Sequence, residues 1–151
     1  MELVDIKSNI EYLKEYIKCC TLEWGKPKSD EELNDYIDKK AEKILSNNYD
    51  NLICAIGLIK NNVLIGFISL FKTDGDERQD LTPWYATMYV KKEYRGFGYS
   101  KILNSSIIDE AKRLGYDKVY LKSNLINYYE KFGAIFIEKL NNGENLYYIN
   151  V

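Results

Sequence analysis

The sequence predicts a single α/β domain, residues 1–151. Three observations carry that reading. Short apolar runs alternate with amphipathic segments without any repeat, low-complexity tract or linker. Two of the apolar runs, Leu52 to Ile59 and Val63 to Phe71, are joined by Asn61-Asn62, residues that tolerate the positive φ of a tight hairpin. A third, Trp84 to Val90, leads through a turn containing Gly96 and Gly98 directly into an amphipathic helix. A chain of 151 residues is long enough to bury a core without disulfides or metal.

In chain order, Met1 to Ile6 reads as the first strand. Ser8 with Glu11, and Ser29 with Glu32, fit the capping box, in which a hydroxyl and a carboxylate satisfy free N–H groups at a helix start. Two helices are therefore expected up to about Leu45, with Thr21 to Asp30 as the loop between them. After the hairpin, the polar stretch from Thr73 to Asp80 leads to strand four. Tyr99, Ile102, Leu103, Ile107, Ala111 and Leu114 recur at helical spacing, which sets helix three from about Gly98 to Leu114, and Gly115 ends it as a left-handed cap. Val119 to Leu121 is strand five, and Leu125 to Phe132 a short helix stopped by Gly133. Ile135 to Lys139 and Leu146 to Ile149 form the last two strands around an Asn142-Gly143 turn. The order is β-α-α-β-β-β-α-β-α-β-β.

Composition removes several classes of function. The chain has no histidine, so no Ser/His/Asp or Cys/His triad and no histidine-based metal site can form. Acid and base work must fall to carboxylates, tyrosine, lysine, cysteine or water. Its three cysteines include no CxxC pair and read as small buried apolar residues rather than a disulfide framework or a zinc site. A formal charge of -2 gives no reason to expect nucleic acid. No apolar run is long enough to span a bilayer, and the N-terminal stretch lacks a signal-peptide core, so no membrane association and a cytoplasmic location are expected. The C-terminal strand pair offers an edge that could join a second subunit as a homodimer.

The turn after strand four is a place to hold phosphate. A helix N-terminus exposes unpaired N–H groups at the positive end of its dipole, and glycine lets that backbone approach an anion. It is not a nucleotide P-loop, because Lys101 follows Ser100 instead of preceding it, and the dinucleotide pattern fails at Lys101, where glycine would be needed.

Arg95-Gly96-Phe97-Gly98-Tyr99-Ser100 resembles the Arg/Gln-x-x-Gly-x-Gly/Ala pattern of the GCN5-related N-acetyltransferases, with Ser100 in place of the usual smaller residue. Asn127-Tyr128-Tyr129-Glu130-Lys131-Phe132-Gly133-Ala134 is similar to the second motif of that family, with Ala134 where members usually carry Phe. Asp80-Leu81-Thr82-Pro83-Trp84 also resembles a subgroup of small bacterial members. The resemblance covers nearly the whole chain. It implies a mixed, mostly antiparallel sheet with strands four and five parallel and splayed, and acetyl-coenzyme A as co-substrate without a metal. It further implies that the backbone from Arg95 through Gly96, Phe97, Gly98, Tyr99 and Ser100 to Lys101 holds the diphosphate, and that the N–H groups of Met88, Tyr89 and Val90 line the cofactor and meet the developing oxyanion. For Arg95 the main chain weighs more than the side chain.

The expected chemistry is transfer of the acetyl group to a primary amine by direct attack on the thioester. An amine of pKa near 10.4 needs about 4.6 kcal/mol to expose its lone pair at pH 7, so a proton acceptor is required. Tyr129 matches the family's tyrosine and is the catalytic residue expected to protonate the leaving thiolate; without the motif it would read as packing. The base stays open among Asp80, Glu23 and a water chain, since strand four holds no carboxylate. Asn124 either hydrogen-bonds the pantetheine arm or caps the short helix. The loops at Trp24 and from Thr73 to Asp80 should border the acceptor pocket, and Asp74, Asp76, Glu77 and Asp80 favour a cationic small molecule such as a polyamine or aminoglycoside. A peptide N-terminus or lysine is the competing acceptor. A coenzyme A-binding module without turnover is the alternative of a different class.

Overall fold

The computed structural model describes residues 1–151. Its elements are β1 (Glu2–Asp5), α1 (Ile10–Trp24), α2 (Asp30–Leu45), β2 (Leu52–Lys60), β3 (Val63–Phe71), β4 (Trp84–Val90), α3 (Tyr99–Arg113), β5 (Lys118–Ser123), β6 (Ile135–Lys139) and β7 (Asn145–Asn150), with short 3-10 turns at Ile6–Ser8, Lys92–Tyr94 and Tyr129–Phe132. The strands form one seven-stranded sheet in the order β1-β2-β3-β4-β5-β7-β6. Every pairing is antiparallel except β4 with β5, which is parallel and holds a single registered pair, Trp84 with Tyr120. Beyond that pair β4 and β5 part, as the resemblance implied.

The sheet is covered on both faces. On one, Leu13, Tyr16 and Ile17 of α1 and Ile37, Ala41 and Ile44 of α2 bury against Leu52, Leu64 and Phe67. On the other, Leu103, Ile107 and Ala111 of α3 bury against Ile65, Ile68, Leu70, Val119 and Leu121. Strand β3 thus contributes side chains to both faces, which is why it reads as a continuous apolar run rather than an alternating one.

Local chemistry sets the element boundaries. Asn61 (φ 51°) and Asn62 (φ 63°) both sit in the left-handed region, as the β2–β3 hairpin requires. The Ser29 hydroxyl accepts from the Glu32 N–H at 3.2 Å and caps α2. The expected Ser8 cap is corrected: Asn9 caps α1, its side chain accepting from the Glu11 N–H at 2.9 Å, while the Ser8 hydroxyl turns back to donate to the Asp5 carbonyl at 2.6 Å. Asparagine and serine are about equal as caps, so the one whose backbone is extended at the helix start wins. Helix α1 also runs on through Thr21–Trp24, which leaves only Gly25–Ser29 as loop. The short helix expected from Leu125 is reduced to the turn Tyr129–Phe132, because Asn127 takes a left-handed φ of 57° that no continuous helix admits.

Of the C-terminal strand pair only β6 is an edge, with Ile135, Phe136 and Ile137 exposed; β7 is paired on both sides. No helix is long and apolar enough to cross a membrane.

Candidate active site

Two cavities meet at the point where β4 and β5 separate. The smaller, about 320 Å³, is bordered by Met88, Tyr89 and Val90 of β4, by Arg95, Gly96, Gly98 and Ser100, and by Tyr128 and Tyr129. The larger, about 710 Å³, lies beneath α1 and α2, and its walls include Tyr16, Tyr85, Thr87 and Ser123. Trp24, Met88 and Tyr129 border both cavities.

The smaller cavity opens onto the glycine turn. Gly96 (φ 85°) and Gly98 (φ 81°) are both left-handed, and a Cβ on either would face open space. Glycine is therefore set by backbone conformation and by clearance for an incoming group, not by crowding from the protein. The backbone N–H groups of Gly96, Phe97, Gly98, Tyr99 and Ser100 donate to no carbonyl, and the first such bond after them is Lys101 N–H to Gly98 O at 3.2 Å. Five free donors thus surround the positive end of α3, which fits a diphosphate. Phe97 projects its ring into solvent, 69% exposed, and offers the site only its main chain. The Arg95 side chain folds back, its Nε donating to the Val90 carbonyl at 2.8 Å, and its guanidinium lies 5.6 Å from the Tyr89 ring. Lys91 anchors the end of β4 to α1 through Glu15 at 2.9 Å. Burial works to raise the Glu15 pKa, but the hydrogen-bonded Lys91 ammonium outweighs it and holds the carboxyl below its usual value.

Strand β4 is not a regular strand. Its register against β3 slips between Phe67 and Ser69, and opposite the slip Thr87 sits at φ 54°. A β-branched residue in the left-handed region costs about 1–3 kcal/mol, so something must hold it. The Thr87 hydroxyl donates to Ser69 Oγ at 2.7 Å, and Ser69 Oγ in turn shares a 2.7 Å hydrogen bond with the Tyr16 hydroxyl. This ladder ties the bulge to α1 across the sheet, and Ser69 is fully buried within it. A bulge of this kind increases local twist, and beyond the Trp84–Tyr120 pair no residue of β4 is registered with β5. No sequence signal marked the bulge, because the pattern Trp84–Val90 reads as an unbroken strand.

Tyr129 lies at the junction of the cavities. Its ring is held by edge contacts with Tyr85, 6.0 Å away, and Tyr128, 4.8 Å away. Burial, with Tyr128 adding to it, pushes its phenol up to about 12, so it stays protonated throughout the neutral range. The Tyr85 hydroxyl donates to the Met88 sulfur at 3.4 Å, which fixes that side chain beside Tyr129.

The remaining candidates separate. Asn124 borders the larger cavity and does not cap: Ser123 Oγ accepts from the Leu125 N–H at 3.0 Å instead. Glu23 borders the smaller cavity only. Asp80 borders neither; Arg78 grips both its oxygens at 3.0 Å and holds its carboxyl below the usual range. Glu77 accepts from the Asn141 N–H at 2.7 Å, so of the four acids of that loop only Asp74 reaches the larger cavity. Burial raises the Asp74 carboxyl above its usual value, which the Lys122 charge partly offsets. Cys19, Cys20 and Cys54 are half-buried free thiols, pushed up by burial to about 11, 12 and 12, and at neutral pH they are protonated and unreactive. No group of three or more cysteine and carboxylate side chains is placed to hold a metal ion.

Comparison with known proteins gives concordant results. The sequence model of the acetyltransferase (GNAT) family matches residues 10–134. No curated protein is matched by this sequence. Among solved structures, the PaiA N-acetyltransferase of Thermoplasma acidophilum in complex with coenzyme A is 21% identical at a TM-score of 0.64, with 100% of each chain covered. An aminoglycoside 6'-N-acetyltransferase complexed with coenzyme A is 15% identical at a TM-score of 0.71, covering 99% of this chain and 97% of the other. A GNAT-family acetyltransferase of Staphylococcus aureus Mu50 is 22% identical at a TM-score of 0.62, covering 99% and 98%. At these identities the likeness establishes the shared fold.

Proposed function

Since the chain belongs to the acetyltransferase (GNAT) family and is an acetyl-coenzyme A-dependent acetyltransferase, we propose that it transfers the acetyl group to a primary amine of a small molecule by direct attack on the thioester. The observation that carries this reading is the meeting of two cavities at Met88 and Tyr129, one opening onto five free amides and the other roofed by α1 and α2. A donor bound in the first and an acceptor bound in the second would bring their reactive ends together there.

The free N–H groups from Gly96 to Ser100 hold the diphosphate, and the two unpaired terminal nitrogens of Arg95 add charge beside it. The parted edge of β4 offers main-chain groups to the pantetheine amides, in the manner of an added strand. Of the three expected residues Met88, Tyr89 and Val90, the register against β3 sends the Tyr89 N–H toward Phe67 and leaves those of Met88 and Val90 directed to the parted edge, where they meet the thioester oxygen as it gains negative charge. Tyr129 then gives its proton to the departing sulfur; a phenol raised to about 12 is neutral at rest and available for that role. Asp74 and Glu144 border the acceptor cavity and supply, directly or through water, the sites that take up the proton of the incoming ammonium. Glu23 and Asp80 are set aside for that role because neither borders this cavity.

The reading is tested by following free thiol on mixing the protein and acetyl-coenzyme A with a panel of small primary amines and lysine peptides. Thiol release that saturates with a small amine supports it. Tight coenzyme A binding with no amine-dependent release would instead favour a binding module.

A further inference from the structure

The larger cavity carries more cation than its acids can balance, and three of its four lysines lie on one side. Lys26 and Lys28, from the α1–α2 loop, and Lys40 of α2 border it together with Tyr36 and Tyr49. Lys40 Nζ stands 3.6 Å from the centre of the Tyr49 ring, and Lys28 Nζ 5.0 Å from that of Tyr36. None of these three ammonium groups is within ion-pair distance of a carboxylate; the ion pairs of α2 are made by Asp38 with Lys14 and by Asp35 with Lys39, neither of which borders the cavity. Lys40 is half-buried, and burial holds its ammonium below its usual pKa. A partly desolvated cation without a counterion is a cost to the folded protein that an anionic ligand would remove.

The acids lie elsewhere, at the β5 side. Asp74 follows β3, and the fourth lysine of the cavity, Lys122 of β5, donates to its carbonyl at 2.6 Å. Glu144, in the β6–β7 turn, is the other carboxylate of the cavity. Lys122 is thus committed to the acidic side, whereas Lys26, Lys28 and Lys40 have no carboxylate partner.

We propose that the acceptor is an amine whose far end carries an anionic group: its ammonium enters beside Asp74 and Glu144, and its anion is seated by Lys26, Lys28 and Lys40. The aromatic walls of the cavity, which include Tyr16, Tyr85 and Phe71, accommodate an apolar spacer. This rests on the acetyl-transfer reading and reverses the expectation, drawn from the acidic loop, of a polycationic substrate. A polyamine would place its second ammonium against three lysines. No bond is made at the lysines; the acetyl group passes to the amine nitrogen, the amine proton to the carboxylate side, and the thiolate takes up a proton as coenzyme A leaves.

The experiment compares 6-aminohexanoate, 3-aminopropyl phosphate, hexylamine and 1,5-diaminopentane as acceptors, read as kcat/KM for thiol release from acetyl-coenzyme A. The expected result is that at least one anionic amine exceeds both hexylamine and the diamine by tenfold or more, and the better of the two identifies the anion as carboxylate or phosphate. Lys40→Glu should then cut that advantage by tenfold or more while coenzyme A affinity, read by calorimetry, holds. Saturation-transfer NMR of the same four compounds with coenzyme A present gives a ranking that does not depend on turnover. A diamine or hexylamine bound and acetylated as well as the anionic amines overturns the inference and leaves acetyl transfer intact. Absence of thiol release with every amine counts against the acetyl-transfer reading itself, and the binding ranking still decides the charge preference.

Discussion

Tyr129 combines two properties that a generic packed tyrosine lacks. It touches both cavities, and its phenol is shifted upward by burial without being locked into an ion pair. A Tyr129→Phe substitution keeps the ring and its contacts with Tyr85 and Tyr128 and removes only the proton. Turnover should fall by about 10²-fold, the range of a single general acid, while coenzyme A affinity stays within about twofold. Steady-state kinetics beside a calorimetric titration checks this; an equal loss of both would make the residue structural. Tyr129 was legible in the sequence because a motif of eight consecutive residues, Asn127 to Ala134, carried it. The residues around it were not. Tyr85, which orients Met88, is one of fourteen tyrosines, and no spacing distinguishes a tyrosine whose hydroxyl bonds a sulfur from one that only fills space.

At the scale of elements, β4 is where sequence and structure diverge most usefully. Its bounds, Trp84–Val90, are those the apolar pattern predicts, as are those of β6, and the Asn61-Asn62 hairpin forms as its turn chemistry requires. Local signals of this kind act over a few residues, so a sequence displays them. The bulge at Thr87 depends on Ser69, eighteen residues earlier, and on Tyr16, fifty-three residues before Ser69, and no local pattern encodes such a ladder. Ser69→Ala leaves the Tyr16 and Thr87 hydroxyls without their shared partner at the wall of the larger cavity. Unfolding stability should fall by about 1 kcal/mol, the net worth of a hydrogen bond whose freed partners can turn to cavity water. If the ladder holds the bulge open, kcat should fall further than that loss of folded protein explains. Chemical denaturation paired with kinetics on the folded fraction separates the two effects; full activity in the folded fraction would show that the bulge stands without its ladder. The caps teach the same lesson on a smaller scale. Ser29 was found correctly, and Ser8 lost its place to its neighbour Asn9, because two adjacent good capping residues differ only in which backbone the preceding turn leaves extended.

For the whole molecule, a core packs on each face of the sheet, and β4 and β5 are joined at Trp84 and Tyr120 and part beyond that pair. That arrangement makes a split in an otherwise continuous sheet and leaves the cavities in it. The order of elements and the class of fold were readable because each strand and helix announces itself. The charge of the larger cavity was not, since it is assembled from Lys26 and Lys28 in the α1–α2 loop, from Lys40 on α2, and from Asp74, Lys122 and Glu144 at the far side. The acidic run in the loop suggested more acid at the cavity than the fold brings there, because three of its members turn to Arg78, to Asn141 or away from it. The central claim for the molecule is that the amides from Gly96 to Ser100 grip a diphosphate at the mouth of the split. Isothermal titration of coenzyme A into the protein, beside the same titration with Gly98→Val, tests it most directly. The account predicts one site per chain on the native protein and affinity lowered at least tenfold in the variant, in which a β-branched residue is forced to φ near 81° and its methyl groups occupy the space of the phosphate. No heat of association with the native protein, or equal affinity in a folded variant, would contradict it.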